Sequence, residues 1–236
     1  MITTRYTITS DKFPHSGLKA ALITDLHNRQ NAAIFTLESL TAEKPDFILF
    51  AGDAVNRING KSDVALDFLE KASKIAPLFY SMGNHELASG FEEYPNEARK
   101  RGVILLDNEY TDFKGIHIGG LSAICECEAE STKEKREKFL AEFSRLCGYK
   151  LLLNHVPAYF TEFLEELDID LIVSGHSHGG QIGLGSRGIY APDQGFFPKY
   201  VNGIHHNRFI ISRGLGQTAP LPRLFNPYEV VYISFN

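Results

Sequence analysis

Apolar residues along the chain fall into two kinds of segment. Short continuous runs rich in Ile, Leu, Val and Phe are typical of buried strands. Between several of them lie longer stretches with apolar positions at helical spacing and charged residues on the other face. The short runs predict strands at 19–24, 46–51, 78–81, 103–106, 116–121, 150–154 and 171–174. The longer stretches predict helices at 31–43, 62–75, 91–101, 132–146 and 158–167.

The alternation of strands and helices indicates crossover connections and a layered α/β architecture. After Gly175 the pattern changes, because glycine and proline become frequent and two further apolar runs follow at 208–213 and 229–235. This tail predicts loops together with antiparallel strands that close a second sheet. No repeat, low-complexity tract or linker interrupts the chain, so we predict one domain that spans residues 1–236.

Side chains that can bind metal ions follow five of the predicted strands, at the point where each strand ends. In chain order they are Asp25 and His27, then Asp53, then Asn84, then His155, and finally His176 and His178. In open α/β sheets, ligands bind outside the carboxyl ends of the strands, where the loops converge. We therefore expect these side chains to lie at one rim.

The donor types and their spacing suit metal ions. Imidazole nitrogens with carboxylate and amide oxygens serve divalent transition metals. Donors at i and i+2, such as Asp25 with His27, point to the same side of an extended chain and could reach one ion. A glycine before three of the ligand positions permits a tight turn or a close approach. These glycines are Gly52, Gly83 and Gly175. Two ions that share a bridging carboxylate would use all seven donors, and such pairs suit phosphoryl chemistry.

Taken singly, each motif has an ordinary structural explanation. Asp25 with His27 could be a chance or capping pair, and Gly52-Asp53 a turn. Gly83-Asn84-His85-Glu86 could be a turn at a helix N-terminus, where Glu86 would favour the macrodipole. A histidine such as His155 could be a hydrogen-bonded core residue. The ordered conjunction, each element just after an apolar run, favours the metal-site interpretation.

The charge balance bears on possible partners. With 24 basic and 29 acidic residues the net charge is −5, which gives no electrostatic case for a nucleic-acid or anionic-membrane partner. No run approaches the roughly 20 apolar residues that cross a bilayer. Residues 1–19 lack the apolar core of a signal peptide, so we predict a cytoplasmic protein unless an export segment has been removed.

The three cysteines do not indicate a metal site of their own. An odd count argues against a disulfide framework and suits a reducing compartment. Cys125 and Cys127 lie one residue apart without a second pair, which makes a poor zinc motif. We predict that these two and Cys147 are free thiols.

The ordered motifs resemble the signature of the calcineurin-like metallophosphoesterase superfamily. That signature consists of Asp-X-His, Gly-Asp, Gly-Asn-His-Asp/Glu, a later His and Gly-His-X-His, and this chain has all five between Ala21 and His178. In the tail, His178-Gly179-Gly180-Gln181 and Ser212-Arg213-Gly214-Leu215-Gly216 are similar to a bacterial phosphodiesterase subgroup that acts on phospholipid or nucleotide-lipid phosphodiesters. The family fold implies a four-layer αββα sandwich, with two mixed sheets flanked by helices.

The resemblance also implies roles by position. Asp25, His27 and His178 would hold a first metal ion. Asn84, His155 and His176 would hold a second, and Asp53 would bridge the two. His85 would lie beside the scissile phosphate, as general acid or transition-state stabiliser, and would not bind metal. The donor set leaves the identity of the two divalent ions open among manganese, iron, zinc, nickel and cobalt.

The expected function is hydrolysis of a phosphate ester by attack of a metal-bridging hydroxide. A phosphodiester is favoured, in a small-molecule or lipid-linked substrate. Arg213, flanked by glycine in the tail, has a better case as a phosphate ligand than Arg29 or Arg57. Aromatic residues at 190–200 could receive an acyl chain or a base, or could fill the core.

Two other functions remain open at this stage. A nuclease acting on single-stranded ends is disfavoured by the acidic net charge and the absence of basic runs. A non-catalytic metal-binding scaffold is disfavoured by His85 and by the full set of ligands, for which a scaffold would have no chemical need. The sequence leaves the oligomeric state undetermined.

Overall fold

The computed structural model describes residues 1–13, 17–58, 60–88, 90–124, 128–184, 187–191, 194–218 and 223–236, and its main feature is a pair of six-stranded sheets. The first sheet consists of β1 (Ile2–Ile8), β2 (Leu18–Ile23), β3 (Phe47–Ala51), β4 (Leu78–Ser81), β5 (Ile104–Leu105) and β16 (Glu229–Phe235). The second sheet consists of β6 (Glu109–Phe113), β7 (Ile116–Leu121), β8 (Tyr149–Asn154), β9 (Leu171–Ser174), β14 (Gly203–His205) and β15 (Phe209–Ile211). Two small hairpins in the tail consist of β10 (Gly183–Leu184) with β11 (Arg187–Gly188), and β12 (Tyr190–Ala191) with β13 (Gly195–Phe196).

Both large sheets are mixed. The first has the order β1-β16-β2-β3-β4-β5, and its pairs are parallel except that β16 runs antiparallel to β2. The second has the order β14-β15-β9-β8-β7-β6, with parallel inner pairs and an antiparallel strand at each edge. The helices are α1 (Gln30–Glu43), α2 (Asp63–Ser73), α3 (Tyr94–Lys100), α4 (Glu130–Phe143), a π-helix (Phe160–Leu164) and a 3₁₀ turn (His178–Gly180).

Three apolar clusters separate four layers. Outside the first sheet, Phe50 packs against Phe68 of α2 with ring centroids 6.1 Å apart. Between the sheets, Leu49 and Leu151 belong to one buried cluster. Outside the second sheet, Phe143 of α4 joins a third cluster with residues of the π-helix. Central strands buried on both faces need continuous apolar sequence, which is why the short runs predict them well. The αββα sandwich expected from the family resemblance is therefore confirmed.

The sequence-based prediction for the last strand is wrong in topology. β16 was expected to close the second sheet with the strand at 208–213, but it lies in the first sheet between β1 and β2. Six of its seven residues are buried, because a strand flanked on both sides has little contact with water. Its partner β1 was not predicted from sequence. β1 is an edge strand, and exposed residues alternate along it with partly buried ones, so it has no continuous apolar run.

The predicted helix at 158–167 is a five-residue π-helix, in which the Glu165 N–H donates to the Phe160 carbonyl over 2.8 Å. Its buried residues, Phe160 and Leu164, account for the apolar signal in this segment. Among the cysteines, Cys147 is exposed and unbridged, while Cys125 and Cys127 lie outside the described residues. Within the described ranges, no helix combines the length and apolar character needed to span a bilayer.

Candidate metal centre

The predicted ligands lie on loops that follow β2, β3, β4, β8 and β9, and backbone hydrogen bonds tie these loops together. The Asp25 N–H donates to the Gly52 carbonyl over 3.0 Å, which joins the loops after β2 and β3. The Gly175 N–H donates to the His155 carbonyl over 3.1 Å and joins the loops after β8 and β9. Between the sheets, His155 Nδ1 lies 2.8 Å from the Ala51 carbonyl oxygen. The carboxyl ends of strands from both sheets therefore meet at one rim, as expected for an α/β fold.

Six of the seven predicted ligands form two compact groups. In the first trio (Asp25, His27, His178) and in the second trio (Asp53, His155, His176), potential ligand atoms lie within 4.8 Å of one another. Asp53 connects the trios, because its Oδ2 lies 3.2 Å from His155 Nε2 and 3.9 Å from His27 Nε2. The side chains of His27 and Asp25 are fully buried. No residue belongs to both trios, but His27 and Asp53 also form a third compact group with His85, so the rim offers adjacent positions for cations next to His85.

Two buried atoms of the predicted ligands have no hydrogen-bond partner among the described residues. They are His27 Nε2 and Asn84 Oδ1. Leaving a buried polar atom unpaired costs about 1–3 kcal/mol, so such atoms call for an explanation. An imidazole nitrogen and an amide oxygen are both acceptable ligands of a divalent cation. The donor set and its two unpaired atoms therefore fit a pair of divalent metal ions.

Backbone carbonyls set the tautomer of three histidines. The Nδ1 atoms of His27, His155 and His178 lie 3.2, 2.8 and 3.1 Å from the carbonyl oxygens of Val55, Ala51 and Gly216. A carbonyl only accepts, so each Nδ1 carries a proton and Nε2 is the atom left to bind a metal ion at the rim. This is the usual means by which a protein orients a metal-binding histidine. In His155 that atom lies 3.2 Å from Asp53 Oδ2 and would lose its own proton when it binds a metal ion.

His85 has the opposite hydrogen-bonding arrangement. The backbone N–H of Arg57 donates to His85 Nδ1 over 3.1 Å, so in the neutral ring the proton is on Nε2. That Nε2 lies 3.8 Å from Asp53 Oδ2 and faces the same rim. Burial lowers the pKa of His85, which keeps the ring neutral near pH 7. His85 thus presents a hydrogen-bond donor where the other three histidines leave Nε2 to bind a metal ion.

The two trios differ in electrostatics. In the first trio, burial raises the pKa of Asp25 to about 6 and lowers the pKa of His27 to about 3. In the second trio, burial opposes charge as well, but the attraction between Asp53 and His155 outweighs it. That attraction lowers the pKa of Asp53 and raises the pKa of His155 to about 10. Without cations, the second trio therefore contains an ion pair, whereas both histidines of the first stay neutral.

The backbone at the ligands is not extended, which corrects the geometry assumed from sequence. Five of the seven predicted ligands have left-handed backbone angles: Asp25 (φ 55°), His27 (49°), Asp53 (57°), His176 (64°) and His178 (48°). Such angles are uncommon outside glycine and asparagine and concentrate at functional sites. These five ligands are therefore presented by sharp turns after the strands. The alternation of side chains between the two faces of an extended strand, which was assumed for Asp25 with His27, does not apply.

Glycine is needed at this rim mainly for close approach. A Cβ atom on Gly83 would overlap Asp53 Oδ1, and one on Gly175 would overlap Asp25 Oδ2. Neither glycine has a positive φ angle, so conformational freedom is not the reason for their presence. Their missing side chains provide the space for the two carboxylates.

Glu86 contributes in a way that the sequence does not indicate. No helix starts at this residue, since α3 begins at Tyr94. The buried carboxylate instead accepts the N–H groups of Asp53 (2.9 Å), Gly83 (2.7 Å) and Val55 (3.1 Å). It thereby holds the loops after β3 and β4 together directly beneath Asp53 and His85. Burial raises the pKa of Glu86 to about 7, while the three backbone donors favour its charged form.

Arg213 is already engaged inside the protein. Its Nη1 lies 2.7 Å from Glu229 Oε1, a buried carboxylate, and its Nη2 donates to Asn202 Oδ1 over 3.2 Å. Arg29 is exposed and donates to the Tyr228 hydroxyl. A role for Arg213 in binding phosphate stays a prediction, and it would depend on the remaining guanidinium donors.

Arg223 was missed, because a lone arginine after a proline-rich stretch carries no motif. Its guanidinium donates to the carbonyls of Arg213 (2.8 Å), Gly214 (3.3 Å), Gly216 (2.8 Å) and Asn226 (3.2 Å), and to Asn226 Oδ1 (3.3 Å). Arginine has five N–H donors, so this set satisfies all of them. Since the Gly216 carbonyl also accepts from His178, Arg223 fixes the loop that orients a member of the first trio.

The sequence profile of the family described as calcineurin-like phosphoesterase matches residues 18–180, more than half of the chain. The chain belongs to this family. Its resemblance to the family, inferred from the five motifs, is confirmed.

Relatives with assigned family names support the same membership. An uncharacterised metallophosphoesterase of Campylobacter jejuni is 27% identical over 223 residues, which cover 92% of this chain and 59% of the relative. One of Aquifex aeolicus is 26% identical and covers 98% of this chain and 90% of the relative. The phosphodiesterase YaeI of Escherichia coli is 27% identical over 184 residues, with 70% and 62% covered. The chain thus spans about three fifths of the length of the Campylobacter relative.

Solved structures share the fold. A Thermus thermophilus protein superimposes with a TM-score of 0.55 at 15% identity and covers 68% of this chain and 82% of its own. A dimetal phosphatase from Danio rerio gives a TM-score of 0.53 at 11% identity, with 87% and 90% covered. At these identities the likeness supports the architecture alone.

Proposed function

We propose that the protein is a dinuclear metal-dependent phosphoesterase that hydrolyses a phosphodiester. The observation that carries this proposal is the division among the buried histidines of the rim. Three of them bond a backbone carbonyl through Nδ1, which leaves Nε2 to bind a metal ion, while His85 accepts a backbone N–H at Nδ1 and presents its Nε2–H as a hydrogen-bond donor. A site that only stored metal would not need that fourth histidine.

The trios support the ligand assignment. Asp25, His27 and His178 would hold the first cation, Asn84, His155 and His176 the second, and Asp53 would bridge them. The short distances within each trio and the unpaired Asn84 oxygen favour this division. Two divalent cations at these positions lower the pKa of water, offset the charge of the phosphate oxygens and orient the ester. Manganese, iron, zinc and nickel all suit the donor set.

His85 is the proposed transition-state stabiliser. Its Nε2–H lies at the rim, and the bond from the Arg57 N–H to Nδ1 fixes the neutral ring in the donor tautomer. Once the ester is in place, this N–H would donate a hydrogen bond to the charge that develops on the departing oxygen, and the ring would stay neutral. A preorganised donor of this kind contributes roughly 10²–10³-fold to the rate.

A diester is favoured over a monoester by the charges around the rim. A monoester phosphate carries up to two negative charges and a diester only one. Two arginines of the tail close to the site, Arg213 and Arg223, already donate to a buried carboxylate and to carbonyls. The relative named phosphodiesterase supports the same choice. A small-molecule or lipid-linked phosphodiester is the proposed substrate class.

Three probe substrates test the proposal. The purified protein is assayed with manganese on bis-p-nitrophenyl phosphate, p-nitrophenyl phosphate and single-stranded DNA, and bound metal is measured by elemental analysis. We expect two metal ions per chain and fastest hydrolysis of the diester. Preference for the monoester would overturn the diester assignment. Two bound ions without hydrolysis of any probe would favour the metal-binding scaffold, and selective hydrolysis of DNA would favour the nuclease.

A further inference from the structure

The tail is basic within an acidic chain. Residues 175–228 include five Lys or Arg residues and only one Asp or Glu, although the whole chain has a net charge of −5. Three of the five cations stabilise the fold. Arg208 donates to the carbonyls of Leu167 and Ile169, and Arg213 and Arg223 are engaged as described above.

The other two cations, Arg187 and Lys199, are exposed and form no ion pair within the described part of the chain. Both line one cavity of about 510 Å³, together with Gly188, Phe197 and Pro198. The Lys199 ammonium lies 4.8 Å from the centre of the Tyr200 ring, which is a cation–π contact. Two cations that line one concave surface, with no ion pair to another described residue, form a candidate site for an anion.

Phe197 adds a second, independent observation. Its backbone is left-handed (φ 55°), which is an outlier for a bulky residue, and its side chain is 76% exposed. The Phe197 N–H donates to the Ile189 carbonyl over 2.9 Å and holds this conformation. Burial of the ring does not offset the strain, because the ring is in solvent. Backbone strain that packing does not explain is characteristic of ligand clamps.

The cavity adjoins the first trio. Its wall residue Gly188 packs directly against Gly180, and a Cβ atom on Gly188 would lie 3.0 Å from the Gly179 carbonyl. The Ile189 N–H also donates to the Gly180 carbonyl over 3.0 Å. Gly180 is two residues beyond His178, so their Cα atoms are at most about 7 Å apart. A substrate whose ester lies at the trios can therefore extend into the cavity.

We propose that the cavity formed by Arg187, Gly188, Phe197, Pro198 and Lys199 binds a second anionic group of the substrate. In this site the two cations contact a phosphate or carboxylate, and the connecting part of the substrate packs on the Phe197 ring. The catalytic consequence rests on the proposed function, but the binding of the anion does not. The selected substrates are thus phosphodiesters with another negative charge outside the scissile group.

A matched pair of chromogenic diesters tests selectivity. Thymidine 5′-(p-nitrophenyl phosphate) and its 3′-phosphorylated form share the scissile bond and differ by one phosphate. With the metal-loaded protein we expect kcat/KM to be roughly tenfold higher for the 3′-phosphorylated substrate, since the two cations form charge-assisted hydrogen bonds with the added phosphate that solvent partly screens. In the double variant Arg187→Ala/Lys199→Ala the ratio falls to about one. Equal kcat/KM values in the wild type would overturn the proposal.

Charge-matched variants separate a site from a general field effect. Lys71→Ala/Lys74→Ala removes two exposed cations of the α2 region, which pair with Asp67 and Glu70, and keeps the wild-type ratio. Arg187→Lys/Lys199→Arg keeps both charges and retains most of the preference. If the Lys71→Ala/Lys74→Ala variant lost the preference as fully as Arg187→Ala/Lys199→Ala, the preference would come from the overall charge of the protein. That result would overturn the proposed site.

Binding is measured separately, so that failure of the catalytic proposal can be distinguished. Calorimetry with the metal-loaded protein compares thymidine 3′,5′-bisphosphate with thymidine 5′-monophosphate. We expect roughly tenfold tighter binding of the bisphosphate by the wild type and equal binding by Arg187→Ala/Lys199→Ala. If neither chromogenic diester is hydrolysed but this difference appears, the anion site stands and the proposed reaction fails. Equal affinities in the wild type contradict the site itself.

The two cations and the exposed Phe197 could also meet a lipid surface, and co-sedimentation with phosphatidylglycerol vesicles distinguishes this case. We expect no difference in vesicle binding between the wild type and the double variant. Vesicle binding that is lost in the double variant, together with equal affinity of the wild type for the two thymidine nucleotides, would assign the cations to a membrane and overturn the proposal.

Discussion

The two sides of the candidate site are built in different ways. The ligand wall consists of the turns after β2, β3, β4, β8 and β9, which carry the two trios and His85 in buried positions, apart from the partly exposed His176. The tail wall, residues 187–191, 194–200, 213–218 and 223–228, has strands of only two residues and exposes Phe196, Phe197 and Phe225 by 73%, 76% and 90%. The first wall is held by the sheets, and the second by scattered hydrogen bonds between loops.

This difference separates the residues proposed for hydrolysis from those proposed to select the substrate. Ligands that must keep their positions within a fraction of an ångström lie on turns anchored in rigid sheets. Side chains that choose among substrates lie on loops, where change costs little stability. The walls are joined at few points. One is Gly214, whose left-handed backbone (φ 73°) brings it so close that an added Cβ would lie 2.7 Å from Asp25 Cβ.

The largest expected effect is on the ligand wall, for Asp53→Asn. In the wild type, Asp53 Oδ1 accepts the backbone N–H of His85 over 2.9 Å. The variant keeps an oxygen for this hydrogen bond but removes the negative charge that lies between the two trios. We expect loss of at least one bound ion and a fall in turnover of roughly 10³-fold or more, since the chemistry depends on the cations. Elemental analysis and hydrolysis of bis-p-nitrophenyl phosphate measure both. The exposed Asp67→Asn is the control, and full metal content in Asp53→Asn would contradict the bridging role.

The next largest effect distinguishes His85 from the proposed metal ligands of the same wall. His85→Ala should lower kcat by roughly 10²–10³-fold while both ions stay bound, because His85 presents a hydrogen-bond donor and not a lone pair. His117→Ala, at a histidine of β7 that lies against Asp112, is the matched control and should retain activity. Wild-type turnover of His85→Ala with both ions present would remove His85 from the mechanism, and loss of an ion would make it a ligand.

A smaller effect tests whether the tail wall supports the ligand wall. Arg223→Ala removes the donors that hold Gly214 and Gly216, and with them the carbonyl that orients His178. We expect metal affinity to fall roughly 10–100-fold, as for other groups that orient a ligand, with kcat at saturating metal much less changed. Metal titration followed by activity separates the two quantities, and the exposed Arg99→Ala is the control. Unchanged metal affinity would show that the walls are independent.

The smallest effect lies far from both walls and calibrates stability. Lys150, buried in β8, donates to the largely exposed Asp168 over 2.7 Å, and this bond lowers the pKa of Asp168. A lowered carboxylate pKa stabilises the fold above the unfolded pKa, and this contribution is lost as the pH falls through the folded pKa. Asp168→Asn should therefore reduce the free energy of unfolding by about 1 kcal/mol or less at pH 7, given solvent screening.

Urea denaturation of wild type and Asp168→Asn at pH 7 and pH 3 measures this difference. The two proteins should converge at the lower pH, and neither metal content nor turnover at pH 7 should change. A difference that grows as the pH falls would contradict the sign of the shift.

The fold was predictable where local pattern and tertiary environment agree. Continuous apolar runs predicted strands such as Leu78–Ser81 and Ile116–Leu121 with their observed limits, because residues buried on both faces must all be apolar. β6 (Glu109–Phe113) was missed, because it lies at a sheet edge with much of its surface in water. The hairpins of the tail are too short for any periodicity to show.

By itself, the sequence determined the family to which the chain belongs and indicated the residues of the candidate site. Metal-capable side chains placed after apolar runs indicate a site, because burial and donor type are local properties of the residues. Tertiary structure decided how each residue acts. The tautomers of His27 and His85 depend on the Val55 carbonyl and the Arg57 N–H, and the orientation of His178 depends on Arg223, which is 45 positions away. The fold brings these hydrogen-bond partners together from distant parts of the chain. The spacing of residues along the sequence therefore does not reveal them.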